Sequence, residues 1–181
     1  MPNTNNVTTG KATLTGPVHR APVGTTLPTD ATTALASAFI NLGYVGEDGL
    51  VNSNTRTVEQ VKAWGGDVIA NLQTDQKDSF KFKFVESVNA EVLKSVYGES
   101  NVTVSSTQIS VSVKNTEPTC YVWVFDMILQ SGKLKRIVVP NASITSVGDI
   151  SYVDNELISY EVELTALADA NSITHYEYIE V

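Results

Sequence analysis

The chain has 181 residues and a formal net charge of −8, because 20 acidic residues outnumber 12 basic ones. This balance argues against a sequence-reading nucleic-acid binder, which presents a basic patch to phosphates. Apolar residues make up 42% of the chain, enough to bury the core of one domain. No apolar run approaches the roughly 18 residues of a membrane-spanning helix, and the single cysteine excludes an internal disulfide.

Residues 1–30 are predicted to form an extended arm. Three of the six prolines fall in GPVHRAPVGTTLPTD, residues 16–30. Proline fixes φ, lacks an N–H donor and disfavours helix at the preceding residue. The segment is nevertheless too apolar for a solvated tail. Residues 31–181 are predicted to form one domain, beginning with a short helix capped by Asp30 and ended by Gly43.

The next segment reads as turns and strands. Asp48-Gly49 marks a turn, and TRTVEQVKAWGG and DVIANLQT read as two strands separated by Gly65-Gly66. The four residues DQKD, 75–78, are predicted to turn the chain into SFKFKFV. In that strand Phe80, Phe82 and Phe84 alternate with lysines, so one face is apolar and the other wet.

The spacing of apolar residues then changes to that of a helix, predicted over about residues 87–97. The pairs Val92/Val96 and Leu93/Tyr97 lie four residues apart, and Gly98 ends the segment. Strands follow, of which CYVWVFDMIL is apolar on both faces and is expected to be central and covered twice. A loop is predicted from Pro140 to Asn155, with two further strands after it. The fold class is therefore mainly β: a β-sandwich or partly closed barrel with one flanking α-helix and an extended N-terminal arm.

The sequence offers little chemistry, and we expect neither an enzyme nor a cofactor. Cys120 sits in an apolar run and is expected to be a buried structural thiol, which makes a Cys–His nucleophile with His19 or His175 a remote alternative. Trp64 and Trp123 are expected in the core. Three further carboxylates share one loop, where calcium is conceivable but plain surface is the better reading: Asp149, Asp154 and Glu156.

Several stretches resemble the major tail protein, or tail tube protein, of long-tailed (siphovirus) bacteriophages: GPVHRAPVGTTLPTD, LGYVGEDGL, TRTVEQVKAWGGDVI, FKFVESVNAEVLKSVYG and VPNASITSVGDISYVDNELISYEVELTA. The resemblance implies a structural virion protein, made in the host cytoplasm, whose hexameric rings stack helically into a hollow tube. Genomic DNA then passes through an electronegative lumen without specific binding. The implied partners are further copies of the chain, a tape measure protein in the lumen before DNA, and terminator and distal tail proteins at the ends, with no membrane.

Within that frame, carboxylates facing the lumen would repel DNA phosphates. The candidates are Glu59, Asp67, Glu161 and Glu163. Arm residues are expected to contact a neighbouring subunit or ring, namely Val18, Arg20, Val23 and Leu27. The alternatives are a carbohydrate- or protein-binding β-sandwich of a baseplate or cell surface, and a tube protein of a contractile injection or type VI-like system. A third is a hydrolase that uses Glu161 and Glu163 as its paired carboxylates.

Overall fold

The structure is a computed structural model that describes residues 2–181. In this part of the chain it has one α-helix, α1 (Ala90–Tyr97), and two short 3-10 turns, Thr4–Asn6 and Glu99–Asn101. The strands are β1 (Gly10–Ala12), β2 (Val18–Pro22), β3 (Ile40–Asn41), β4 (Val51–Lys62), β5 (Val68–Phe84), β6 (Val102–Val104), β7 (Ile109–Val111), β8 (Tyr121–Leu129), β9 (Leu134–Val147), β10 (Tyr160–Ala166) and β11 (Tyr176–Ile179).

Nine of these strands form one antiparallel sheet, and β6 and β7 form a separate hairpin. The main order is β3-β2-β8-β9-β10-β5-β4, with β1 also on β8 and β11 also on β9. The sheet is strongly curved. Strands β9 and β10 lie between β8 and β5, yet the rings of Phe125 on β8 and Phe80 on β5 stack at 5.7 Å. The predicted fold class is confirmed: the protein is mainly β, with an open, sandwich-like sheet and one helix.

The inside of the curl is the main hydrophobic core. Phe80, Phe82 and Phe84 point into it as the alternation predicts, with Phe82 edge-on to both Phe84 and Phe125 at 4.8 and 5.4 Å. Burying each such side chain contributes about 1.5–3 kcal/mol. Strand β8 is covered on both faces, as predicted, because Val122 and Val124 pack into a second cluster that includes Leu27 and Tyr176.

The helix α1 lays Val92 and Leu93 onto the core. The side chain of Asn89 accepts a hydrogen bond from the backbone N–H of Glu91 at 3.0 Å and so caps the first turn. Gly98, at φ +96°, ends the helix by donating its N–H to the carbonyl of Lys94. The predicted helix over about 87–97 is thus confirmed, with a start at Ala90.

Part of the segment predicted as an extended arm is a strand of the main sheet. Residues Val18–Pro22 form β2, which pairs with β8 in the register Val18↔Phe125 and places Val18 and Arg20 inside the fold. The prolines do not prevent this, because Pro17 precedes β2 and Pro22 is its last residue. The carbonyl of Pro17 accepts from the N–H of Asp126 at 2.8 Å.

Three other predictions are wrong. No helix forms between Asp30 and Gly43, although the Asp30 carboxylate accepts from the backbone N–H groups of Thr32 and Thr33 as a helix cap would. Arg136 Nη1 instead donates to the carbonyls of Asp30 and Thr33 at 3.2 and 2.7 Å, and Leu35 and Phe39 pack on the second cluster from either side of a turn. DQKD is not a turn, since residues 75–78 pair with residues 54–57 of β4 and β5 runs straight through. The loop predicted from Pro140 is strand as far as Val147, because β9 continues its pairing onto β10.

Candidate assembly surface

The most distinctive feature is a two-stranded projection, residues 51–77, here called the long hairpin. It comprises all of β4, the turn at 63–67 and the exposed first part of β5, and every residue in it is solvent-exposed. Only from Asp78 onward does β5 enter the body of the protein. An isolated two-stranded hairpin is marginally stable at best in water, so this one is suited to lie against another surface.

The long hairpin also carries an unusual concentration of exposed apolar side chains. These are Val51, Val58, Val61, Trp64, Val68, Ile69 and Leu72. The register places them on both faces of the hairpin, since Val61 pairs with Ala70 and Val58 with Gln73. Single exposed apolar residues are ordinary, but seven on one projecting element indicate an interaction surface. Two of the acids predicted to face the lumen, Glu59 and Asp67, are exposed on the same hairpin.

A polar cluster fixes the root of the long hairpin to the body. The side chain of Asp78 is fully buried and accepts hydrogen bonds from Asn52 Nδ2 at 2.8 Å, Thr174 Oγ1 at 2.7 Å and His175 Nδ1 at 2.5 Å. An ionised carboxylate can only accept, so Nδ1 of His175 carries the proton in this contact. Burial raises the pKa of Asp78, but the bonds from Thr174, Asn52 and His175 outweigh it and hold that pKa below its usual value.

The wet face of β5 and β10 is a ladder of opposite charges. Glu163 lies directly across from Lys81, and its carboxylate receives Lys77 Nζ at 2.6 Å and Lys81 Nζ at 3.4 Å. The hydrogen bond from Lys77 is the main reason that the pKa of Glu163 lies below its usual value. Glu161 lies across from Lys83 and is exposed. The two acids therefore share one face with three lysines.

This pairing bears on the hydrolase alternative. A general acid needs a raised pKa so that it keeps its proton near neutral pH. Glu163 has the opposite shift, because two lysines stabilise its ionised form. Glu163 therefore does not suit the role of general acid in a paired-carboxylate hydrolase.

The four arm residues predicted to contact a neighbour occupy different environments. Val18 and Arg20 are 2% and 1% exposed within this chain's own fold. Arg20 donates to Glu91 at 3.2 Å and to Glu99 at 2.8 Å, and its guanidinium lies 4.5 Å from the ring centroid of Tyr121. Both side chains thus make contacts within their own chain, and their contact with a neighbouring copy stays a prediction.

The other two arm residues lie beyond β2. Val23 is exposed, so its contact with a neighbour stays a prediction. Leu27 is half-buried against the second cluster of its own chain.

The two tryptophans differ completely in environment. Trp123 is fully buried and donates its Nε1–H to the carbonyl of Ala142 at 3.1 Å, which confirms its predicted core position. Trp64 was expected in the core as well, and that prediction is wrong, because its side chain is fully exposed at the tip of the long hairpin. Its position in a turn, directly before Gly65-Gly66, is the sequence signal that could have revealed this.

The remaining candidates take no part in a visible site. Cys120 is half-buried, less enclosed than expected, and His175 is engaged by Asp78. Asp149, Asp154 and Glu156 lie exposed. Across residues 2–181, no group of three or more His, Cys, Asp or Glu side chains is arranged to hold a metal ion. Nor does this part of the chain contain a helix long and apolar enough to cross a membrane.

Comparison with known proteins gives one result that covers nearly the whole chain. A family model described as "phage tail tube protein" matches residues 2–180. No curated protein matches the sequence at a significant level.

Proposed function

The chain belongs to the phage tail tube protein family, and from this premise we propose that its copies form stacked hexameric rings around a bore through which the phage genome is delivered. Membership gives the protein a structural role in the tail tube and makes it a component of the virion. The proposal extends to a siphovirus tail, to a tape measure protein that fills the bore before DNA, and to terminator and distal tail proteins at the ends.

The observation that carries the proposal is the long hairpin. Seven large apolar side chains stand in solvent on an element in which every residue is exposed. Such a surface lowers its free energy by docking on another molecule, and in a self-assembling protein that molecule is a second copy. A contact between different surfaces of successive copies is heterologous, so it generates rings or open helical stacks.

Unpaired strand edges support the same proposal. The main sheet ends at β3 and β4, and β10 covers β5 only along Ser79–Phe84, which leaves both edges of the long hairpin unpaired. Exposed edges present rows of free N–H and C=O groups that pair readily with another chain. Six subunits joined edge to edge would continue the sheet into a closed inner barrel, which leaves no edge free.

The wet face of β5 and β10 is our candidate wall of the bore. Unpaired lysines there would bind DNA phosphates and release counterions, so DNA would be retained in the bore in a salt-dependent way. Within the subunit the Glu163 carboxylate pairs with Lys77 and Lys81 and offsets one of their two positive charges. Asp48 pairs with Lys83 at 3.5 Å, so each lysine of this face has an acidic partner in its own chain. We propose Glu161 as a further acid on this wall, with Glu59 and Asp67 on the hairpin part of it.

The test is electron microscopy of the purified protein over a concentration series, with a hairpin-truncated variant beside it. Arg56 and Gln76 face each other across the hairpin, so residues 57–75 can be replaced by an Asn-Gly turn that joins the strands directly. This truncation keeps the Asp78 cluster and the whole core.

We expect the wild-type chain to form hollow tubes with six-fold end views. We expect the truncated chain to stay monomeric and to unfold cooperatively, with a thermal midpoint close to that of the wild-type monomer. Tubes of another symmetry would contradict the hexamer. Equal assembly by the truncated chain would contradict the role of the hairpin.

A further inference from the structure

Trp64 is held outward by an ordered turn. The N–H of Ala63 donates to the carbonyl of Asp67 at 2.8 Å, and the N–H of Gly66 donates to the carbonyl of Ala63 at 3.0 Å. Among the described residues no aromatic ring lies against the indole, which is fully exposed. Tryptophan dominates the binding energy of many protein interfaces when it fills a pocket. The tip of the long hairpin therefore presents an exposed aromatic side chain on a hydrogen-bonded turn, here called the knob.

The body of the protein contains a cavity of about 310 Å³ beside β1, here called the β1 cavity. Its floor and walls are mainly apolar, formed by Val18, Val45, Leu50, Phe82, Phe125 and Met127. The exposed residues Lys11 and Ala12 also line it, so it is reachable from outside. An apolar cavity of about 150 Å³ accommodates benzene, so this one has room for an indole. The Met127 thioether adapts to irregular shapes and contacts aromatic rings favourably.

The knob cannot reach the cavity of its own chain. Leu50 lines the β1 cavity and directly precedes β4, whereas Trp64 follows the far end of that strand. At ~3.3 Å per residue, the 12 residues of β4 separate the two by roughly 40 Å. A Trp64 side chain that fills a β1 cavity must therefore come from another copy.

We propose that Trp64 of one copy inserts into the β1 cavity of a second copy. The inference rests on the proposed self-assembly and specifies the contact that links successive copies. Knob and cavity are different surfaces, so the contact is heterologous and every copy can donate one knob and accept another. If each knob fills the next cavity, the cavities of linked copies lie as far apart as knob and cavity within one chain, roughly 40 Å.

A photo-crosslinking experiment tests this placement. Trp64→p-benzoylphenylalanine keeps an aromatic knob and reacts on irradiation with nearby C–H bonds, methionine above all. The variant is mixed with isotopically labelled wild-type chain under assembly conditions, irradiated, digested and mapped by mass spectrometry. Tyr152→p-benzoylphenylalanine is the control, because Tyr152 is exposed in a loop outside the cavity lining.

We expect links between labelled and unlabelled chains that join position 64 to peptides containing Val18, Leu50 or Met127, and none of these from position 152. Links confined to other peptides would overturn the inference. Tubes with such other links would leave the proposed function standing, whereas cavity links in dimers that never form tubes would support the inference and contradict the proposed function.

A second measurement uses the critical concentration for assembly. Trp64→Ala should raise it roughly 30-fold or more, the loss typical of a buried interface tryptophan. Trp64→Phe should raise it much less, because a smaller ring still enters the cavity. The tip lies far from the core, so both variants should keep the thermal unfolding midpoint of the wild type. An unchanged critical concentration for Trp64→Ala would overturn the inference.

Discussion

Replacing Asp78 with asparagine removes the charged acceptor shared by three donors at the root of the long hairpin. The amide nitrogen cannot accept a hydrogen bond, so at least one of Asn52, Thr174 and His175 loses its partner in a buried site. An unsatisfied buried polar group costs about 1–3 kcal/mol, and bonds to a charged group are the stronger ones. We therefore expect Asp78→Asn to lower the free energy of unfolding by about 2–3 kcal/mol.

Urea denaturation followed by circular dichroism measures this change. Asp75→Asn is the matched control, because Asp75 lies on the exposed part of the same strand; it should change the free energy of unfolding by less than about 0.5 kcal/mol. Hydrogen exchange should in addition show lower protection along both strands of the long hairpin in Asp78→Asn. A free energy of unfolding for Asp78→Asn within about 0.5 kcal/mol of wild type would refute the reasoning.

The same carboxylate predicts a pH dependence. The folded-state pKa of Asp78 lies below the unfolded value of about 3.9. Its contribution to stability is therefore complete above the unfolded pKa and is lost as the pH falls through the lower folded-state pKa. The stability gap between wild type and Asp78→Asn should narrow on acidification below about pH 4. A gap that widens would contradict the assigned hydrogen bonds.

Three further outcomes follow from the other contacts. Glu163→Gln frees two lysines on the polar face of β5 and β10 and should make assembled tubes retain DNA in filter binding at low salt, with little effect on stability. Glu161→Gln, which removes an acid but breaks no ion pair of the described chain, should raise DNA retention less. Arg20→Leu should cost about 2–3 kcal/mol in urea unfolding, through the lost ion pairs and the lost cation–π contact, and an unchanged midpoint would contradict this. Deleting residues 2–8 should leave the thermal unfolding midpoint within a few degrees of the wild-type value. Deleting residues 2–22 removes β2 and should prevent folding. A folded product of the longer deletion would show that β2 is dispensable.

The elements that were predicted well from the sequence are those whose apolar spacing and capping residues lie close together in the chain. Phe80, Phe82 and Phe84 alternate with lysines, and they point inward in the structure. The helix has its cap at Asn89 and its stop at Gly98, so its existence needed no distant contact to be predicted. The family resemblance rested on stretches spread along the chain, and the match to residues 2–180 confirms it.

The predictions that failed depend on pairing between distant segments. Residues 75–78 contain turn-forming types, but strand β4 supplies a partner for each of them and makes the extended form more stable. The Asp78 cluster likewise joins Asn52 to Thr174 and His175, which no local pattern relates.

Sequence by itself determined that this chain is a β-rich domain with one helix and a family-wide layout of turns and apolar positions. Tertiary structure alone decided which apolar residues are covered by the same chain. Alternation of apolar and polar residues in a strand indicates that one face is buried. It does not indicate whether the same chain or another molecule covers that face. Trp123 and Trp64 show the difference: one is buried within its own sheet, whereas the other stands in solvent at the end of a projection.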